Sequence, residues 1–235
     1  MQTAHEQVNP TMCRSLRSGG FLQRLPAAAL ADLEAIRPAA KYEEGHVLFG
    51  EKQESNGVFL VREGLVRLSI NSSDGKRLSL RVARAGEILG LAAALSGTRC
   101  ESTAETLSTA KITHISRGDF MAFLMRNPEV YKLVIEEVSR LYSMACEQLR
   151  TVGLSSSAPE KLARLLLDLS EGGQPTEHGT RFRFMLTHEQ IGEFIGASRE
   201  TVTRTLGTFK LRRLVALDGA VVTIPNRSAL MELCA

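Results

Sequence analysis

The chain has 235 residues, 43% apolar and 23% charged, with a formal net charge of +3 and no tryptophan. These are ordinary globular values and exclude wholesale disorder; the mild positive balance permits a nucleic-acid partner without requiring one, so the placement of charge decides. No apolar run approaches the ~18 residues that span a bilayer, and residues 1–20 lack the apolar core of a signal peptide, so a cytoplasmic protein without membrane contact is expected.

Residues 1–20 read as a loose arm, followed by one short helix carrying Leu22, Leu25, Leu30, Leu33 and Ile36 and ended by Pro38. From Lys41 to Ser116 short apolar stretches (HVLF, GVFLV, GLVRLSI, KRLSLRVA, AKITHIS) alternate with turn signals such as Glu44-Gly45, Asn56-Gly57 and Asp74-Gly75. Such punctuation predicts an antiparallel sandwich or β-roll over residues 21–127. In the third stretch Leu65, Arg67 and Ser69 alternate with Val66, Leu68 and Ile70, the two-faced pattern of a half-buried strand.

The texture then becomes helical. Pro128 suits a first helical turn, and Ile135, Val138, Tyr142, Ala145, Leu149 and Val152 recur at spacings of 3 and 4. That seam on a helix over 128–153 has more apolar face than a small roll covers, which predicts a homodimer. Gly153 and Ser155-Ser156-Ser157-Ala158-Pro159 read as a hinge. Beyond it, over 154–235, come a helix with Leu162, Leu165, Leu166 and Leu169 on one face, a polar loop (EGGQPTEHGT), a short strand (RFRFML), two compact helices and a terminal hairpin around Asp218-Gly219.

The two compact helices carry the clearest signal. Thr187 and Gln190 form a capping box; Gly192 sits where a second helix would cross closely; Gly196 ends the first helix; Ser198 caps the second. Val202, Thr205, Leu206 and Phe209 then face inward, leaving Arg199, Glu200, Thr203 and Arg204 facing out. Five cations and one acid lie between Arg199 and Arg213. This is a helix-turn-helix followed by a wing, and the fold class is α+β: an antiparallel β-roll, a long dimerisation helix and a C-terminal winged helix-turn-helix.

IGEFIGASRETVTRTL in the C-terminal part and EEGHVLFGEKQESNGVFLVREGLVRLS in the N-terminal part resemble the cyclic-AMP receptor and fumarate-nitrate regulator (CRP/FNR) family of bacterial transcription factors. The resemblance implies a cyclic-nucleotide-binding-like jelly roll and a homodimer on double-stranded DNA with an inverted-repeat operator. It implies that Arg199, Glu200 and Arg204 read bases, while Thr187, His188, Ser198 and Thr201 approach phosphates. RNA polymerase is an expected partner if the protein activates.

The family's cyclic-AMP pocket uses a Gly-Glu pair and an Arg-Ser pair. Here Gly90 is followed by Leu91, and Glu101-Ser102 stands where Arg-Ser is expected, with Arg99 nearby. A leucine accepts nothing from a ribose and a carboxylate repels a phosphate, so this pocket is expected to be degenerate and the effector, unidentified, not to be cyclic AMP. No cofactor or metal is expected. Cys13 alone cannot hold an iron–sulfur cluster, and His46 and His114 are no ligand pair for haem. Cys100 is the redox candidate: Arg99 would lower its pKa and Glu101 would raise it, and a packed, inert thiol is expected. Two readings compete. A sensor module without DNA binding conflicts with the intact recognition helix; a metal-dependent roll enzyme lacks converging histidines, and no catalytic motif is present.

Overall fold

A computed structural model describes residues 20–153, 157–171, 173–184 and 186–234. The predicted arm with Cys13, the hinge residues 154–156 and the side chain of Val152 lie outside the described residues. Two helices open the fold, α1 (Phe21–Arg24) and α2 (Ala27–Ile36), where one was expected. Pro26 divides them: the residue before a proline is driven out of the helical region, and Leu25 is extended.

The roll follows as β1 (Ala40–Tyr42), β2 (Val47–Phe49), β3 (Gly57–Glu63), β4 (Val66–Asn71), β5 (Arg77–Ala83), β6 (Ile88–Leu89), α3 (Leu91–Ser96), β7 (Thr103–Thr106) and β8 (Ala110–Ser116). These strands make two four-stranded sheets, ordered β1-β8-β3-β6 and β2-β7-β4-β5, with antiparallel pairing. Phe49, Phe59, Val61, Val66, Leu89, Ala104 and Ile112 pack between them. The strands β1, β6 and β7 were not legible as runs, being two to four residues long. Gly64, whose pair with Glu63 is one of the expected turn signals, holds a turn at φ +90°, where a Cβ would meet Ala110 at 2.7 Å.

On β4 the polar alternate face is not the solvent face that the pattern predicts. Arg67 and Ser69 are 3% and 0% exposed. They lie beneath the C-terminal domain, whose helix contacts this sheet through Glu193.

Helices α4 (Arg117–Arg126) and α5 (Val130–Gly153) come next. Ser116 caps α4 by accepting from the Asp119 N–H. Pro128 lies in the turn before α5, not in its first turn: the carbonyls of Asn127 and Pro128 accept from Val130 and Tyr131 at this corner. One face of α5 packs on its own chain through Val130, Val134 and the half-buried Val138, joining Phe21, Leu33, Leu91, Phe120 and Phe123. Ile135, Tyr142 and Leu149 are 66%, 72% and 69% exposed.

The C-terminal domain comprises α6 (Ala158–Leu169), β9 (Gln174–Thr176), β10 (Gly179–Arg183), α7 (His188–Ile195), α8 (Arg199–Leu211), β11 (Ala216–Asp218), β12 (Val221–Ile224) and α9 (Arg227–Met231). Its sheet order is β11-β12-β10-β9. The expected polar loop therefore holds a strand, β9, which is exposed at all three residues and has no alternation to reveal it. The expected strand through Leu186 stops at Arg183, and the expected hairpin from Leu214 begins at Ala216, with Leu214 buried instead. Leu162, Leu166, Ile191, Phe194, Val202, Leu206 and Phe209 form the domain core. No helix of the described residues is long and apolar enough to cross a membrane.

Candidate nucleic-acid interface

The two central helices are set by local capping. Thr187 Oγ1 accepts from the Gln190 N–H, and the Gln190 side chain accepts from the Thr187 N–H at 2.8 Å. Gly196 ends α7 at φ +63°, and Ser198 Oγ accepts from the Thr201 N–H to start α8. Gly192 has a different reason from the one its position proposed. A Cβ there would lie 2.5 Å from the Ala197 carbonyl oxygen, so the close approach is by the turn itself and not by a crossing helix.

On α8, Val202, Thr205, Leu206 and Phe209 are buried. Arg199, Glu200, Thr203 and Arg204 are exposed on the other face, followed by Lys210, Arg212 and Arg213. Glu200 is held below the usual carboxylate range, first by its own backbone N–H and then by the Ser198 hydroxyl. Its charge therefore sits on the helix N-terminus, where the dipole favours an anion. Ser198 is exposed and Thr201 half-buried, with their hydroxyls 3.3 Å apart.

One contact escapes sequence reasoning. His188 Nδ1 lies 2.8 Å from Thr203 Oγ1, so the first residue of α7 is tied to the outward face of α8 across 15 positions. Thr203 also donates to the Arg199 carbonyl. A second unforeseen feature is Arg213, which follows α8 at φ +55°. The Leu214 N–H reaches back to the Phe209 carbonyl at 2.9 Å, closing the helix in a Schellman-type turn without glycine. The turn Gly219-Ala220 joins β11 to β12, with Asp218 opposite Val221, as the wing pattern predicts.

The roll residues expected to form a degenerate effector pocket differ in exposure. Gly90 starts α3 at φ +72°; Leu91 is 1% exposed and packs with the helices. Arg99 and Glu101 are exposed, and Ser102 is 7% exposed. Cys100 is buried in the roll core, and burial, then Glu101, pushes its thiol up, away from thiolate reactivity. A cavity of about 240 Å³ in the roll is lined by Tyr42, Leu48, Phe59, Ile112 and His114 among others, and not by Gly90, Leu91, Arg99, Glu101 or Ser102. Glu87 is gripped by Arg81 and, at 3.5 Å, by Arg140 of α5; Arg140 also pairs with the buried Glu137. No cluster of three or more metal-binding side chains occurs among the described residues.

Comparison with known proteins matches both halves. The cyclic nucleotide-binding domain family matches residues 39–127, and the Crp-like helix-turn-helix domain family matches residues 160–233. The chain is 24% identical over 216 residues to a CRP-like cAMP-activated global transcriptional regulator of Mycobacterium tuberculosis, covering 92% of this chain and 96% of that one. It is 26% identical over 196 residues to the fumarate and nitrate reduction regulatory protein of Vibrio cholerae, covering 81% and 76%. FixK2 from Bradyrhizobium japonicum has the same fold, with a TM-score of 0.76 at 21% identity, covering 84% of this chain and 96% of that one. With both domain families in this order and relatives similar along most of their length, the chain belongs to the CRP/FNR family of transcription regulators.

Proposed function

We propose that the chain regulates transcription, and is not an enzyme, by binding an inverted-repeat operator as a homodimer. The observation that carries this reading is the division of α8: four inward-facing residues are buried, while Arg199, Glu200 and Arg204 are exposed. An arginine fork matches guanine O6 and N7, and a carboxylate accepts from a cytosine amino group. Thr187, His188, Ser198 and Thr201 cluster at the N-termini of α7 and α8 and approach phosphates, where helix ends favour anions. Ile135, Tyr142, Ala145 and Leu149 form the interface with a second copy, with Val138 at its edge. Their exposure on α5 supports this, because an apolar stripe of that length on a monomer lacks a partner. RNA polymerase is a partner if the protein activates.

The effector is not cyclic AMP in this reading. Leu91 is turned into the core, Glu101 places an anion near the expected phosphate, and Arg99 is in solvent. Selection of bound duplexes from random DNA, with sedimentation of the complex, tests the reading. Enrichment of one inverted repeat with a dimer bound supports it; no enrichment defeats it.

A further inference from the structure

The C-terminal domain is docked on the roll by an apolar contact of Val82 with its core, by Arg84, which donates to the Leu169 and Glu171 carbonyls at 3.2 and 3.0 Å, and by a further set of polar groups. Arg67 of β4, 3% exposed, donates from Nη1 to Glu193 Oε2 of α7 at 2.6 Å and from Nη2 to Glu105 Oε2 of β7 at 2.8 Å. Ser79 Oγ of β5 donates to the same Glu193 oxygen at 3.2 Å. Gln148 of α5 completes the arrangement. Its single amide nitrogen donates to the Ser79 carbonyl and to the Phe194 carbonyl, each at 3.1 Å. One carboxamide therefore joins three bodies: the long helix, the roll sheet and the first helix of the helix-turn-helix. Gln148 is also adjacent in sequence to Leu149, which is on the exposed face of α5.

Interactions of this kind specify geometry more than they add stability. A buried guanidinium between two carboxylates regains little beyond its desolvation cost, yet it tolerates few relative positions of its partners. Two amide hydrogens on one nitrogen point in fixed directions, so both carbonyls must come to them.

We propose that Gln148 and the Arg67–Glu193 pair are positioning residues that set the angle between each recognition helix and the long helix. In a dimer that angle decides how far apart, and with what rotation, two half-sites must lie. The proposal rests on the operator reading above. Each added base pair turns a half-site by about 34–36° around the duplex, so a clamped dimer accepts one spacer and a loosened one accepts several.

The test uses the full chain and two substitutions. Gln148→Glu is isosteric but replaces both donors with an oxygen facing two carbonyls; Glu193→Gln removes the charge and keeps an acceptor. Half-sites recovered by selection are joined by spacers from two base pairs shorter to two longer than the selected one. The wild-type chain should prefer one spacer by about tenfold, or 1.4 kcal/mol. For Gln148→Glu the spread across the panel should shrink to about threefold, with Glu193→Gln intermediate. A spacer profile as steep as wild type in both variants overturns the proposal. Small-angle X-ray scattering without DNA reads the clamp independently of the operator. At unchanged mass, Gln148→Glu should enlarge the radius of gyration, and a curve superimposing on wild type overturns the clamp. A wild-type chain that binds no inverted repeat defeats the operator reading alone, and scattering still decides the clamp.

Discussion

Arg213 occupies the left-handed conformation in which glycine usually closes a helix. That backbone costs an L-residue roughly 1–2 kcal/mol, part of which glycine would return as unfolded-chain entropy. Arg213→Gly should therefore stabilise the domain by up to about 1 kcal/mol in thermal melts. It should also weaken DNA binding and lower its salt slope by about one, because a cation beside the recognition helix is lost. Arg204→Ala belongs to a different class. It should cost about 1–3 kcal/mol and relax the preference at one guanine. Equal weakening on every duplex would show that Arg204 only meets phosphate. In the roll, His114 stacks near Phe59 at 4.6 Å, and burial first, then Arg37, lowers its pKa from 6.5. A neutral folded imidazole means that the unfolded chain takes up the proton first, so stability is lost as pH falls below the unfolded value of 6.5. Urea midpoints of wild type and His114→Gln should shift in favour of the variant from pH 7.5 to about 5.5.

At the scale of the element, α5 has two faces with separate tasks. Val130, Val134 and Val138 pack on α1, α2 and α4 of their own chain, and Glu137, 1% exposed, is held by Arg24 and Arg140. A buried glutamate three positions after Val134 interrupts the apolar pattern of the own-chain face, which is why helix spacing revealed only the exposed seam. The two faces separate two substitutions that the seam alone would treat alike. Leu149→Glu adds charge to an exposed position, so the chain should stay folded but become monomeric, with operator affinity lost. Val138→Glu adds charge beside the roll core and should lower the melting temperature as well, by an amount on the order of a 2–3 kcal/mol loss. Sedimentation and thermal melts on both variants distinguish these outcomes; a dimeric Leu149→Glu would move the interface elsewhere.

Across the whole molecule, the roll carries the family's architecture, and the proposal that its effector is not cyclic AMP rests on the charges around the expected pocket. Glu87 is already neutralised by Arg81 and Arg140, and Arg99 and Glu101 point to solvent. Losing one charge-assisted phosphate contact costs about 1.5–3 kcal/mol, and a nearby carboxylate adds to it. Titration calorimetry with cyclic AMP should therefore show no micromolar binding, and operator affinity should be unchanged by the nucleotide.

Sequence alone was enough for the features that close within one or two turns of chain. The Thr187–Gln190 box, the Gly196 terminus, the Ser198 cap and the inward Val202–Phe209 stripe are hydrogen bonds and contacts between near neighbours, so residue type and spacing specify them. The longer strands of the roll were legible for the same reason, since alternation and turn glycines are local. The tertiary structure alone decided which polar faces are covered. Arg67 looks like the solvent side of a strand until Glu193, 126 positions away, is brought against it. His188 and Thr203 meet only after the turn folds, and the short strands β1, β6 and β9 exist only through their partners. Pairing between distant segments depends on the packing of whole domains, and that leaves no period in the chain.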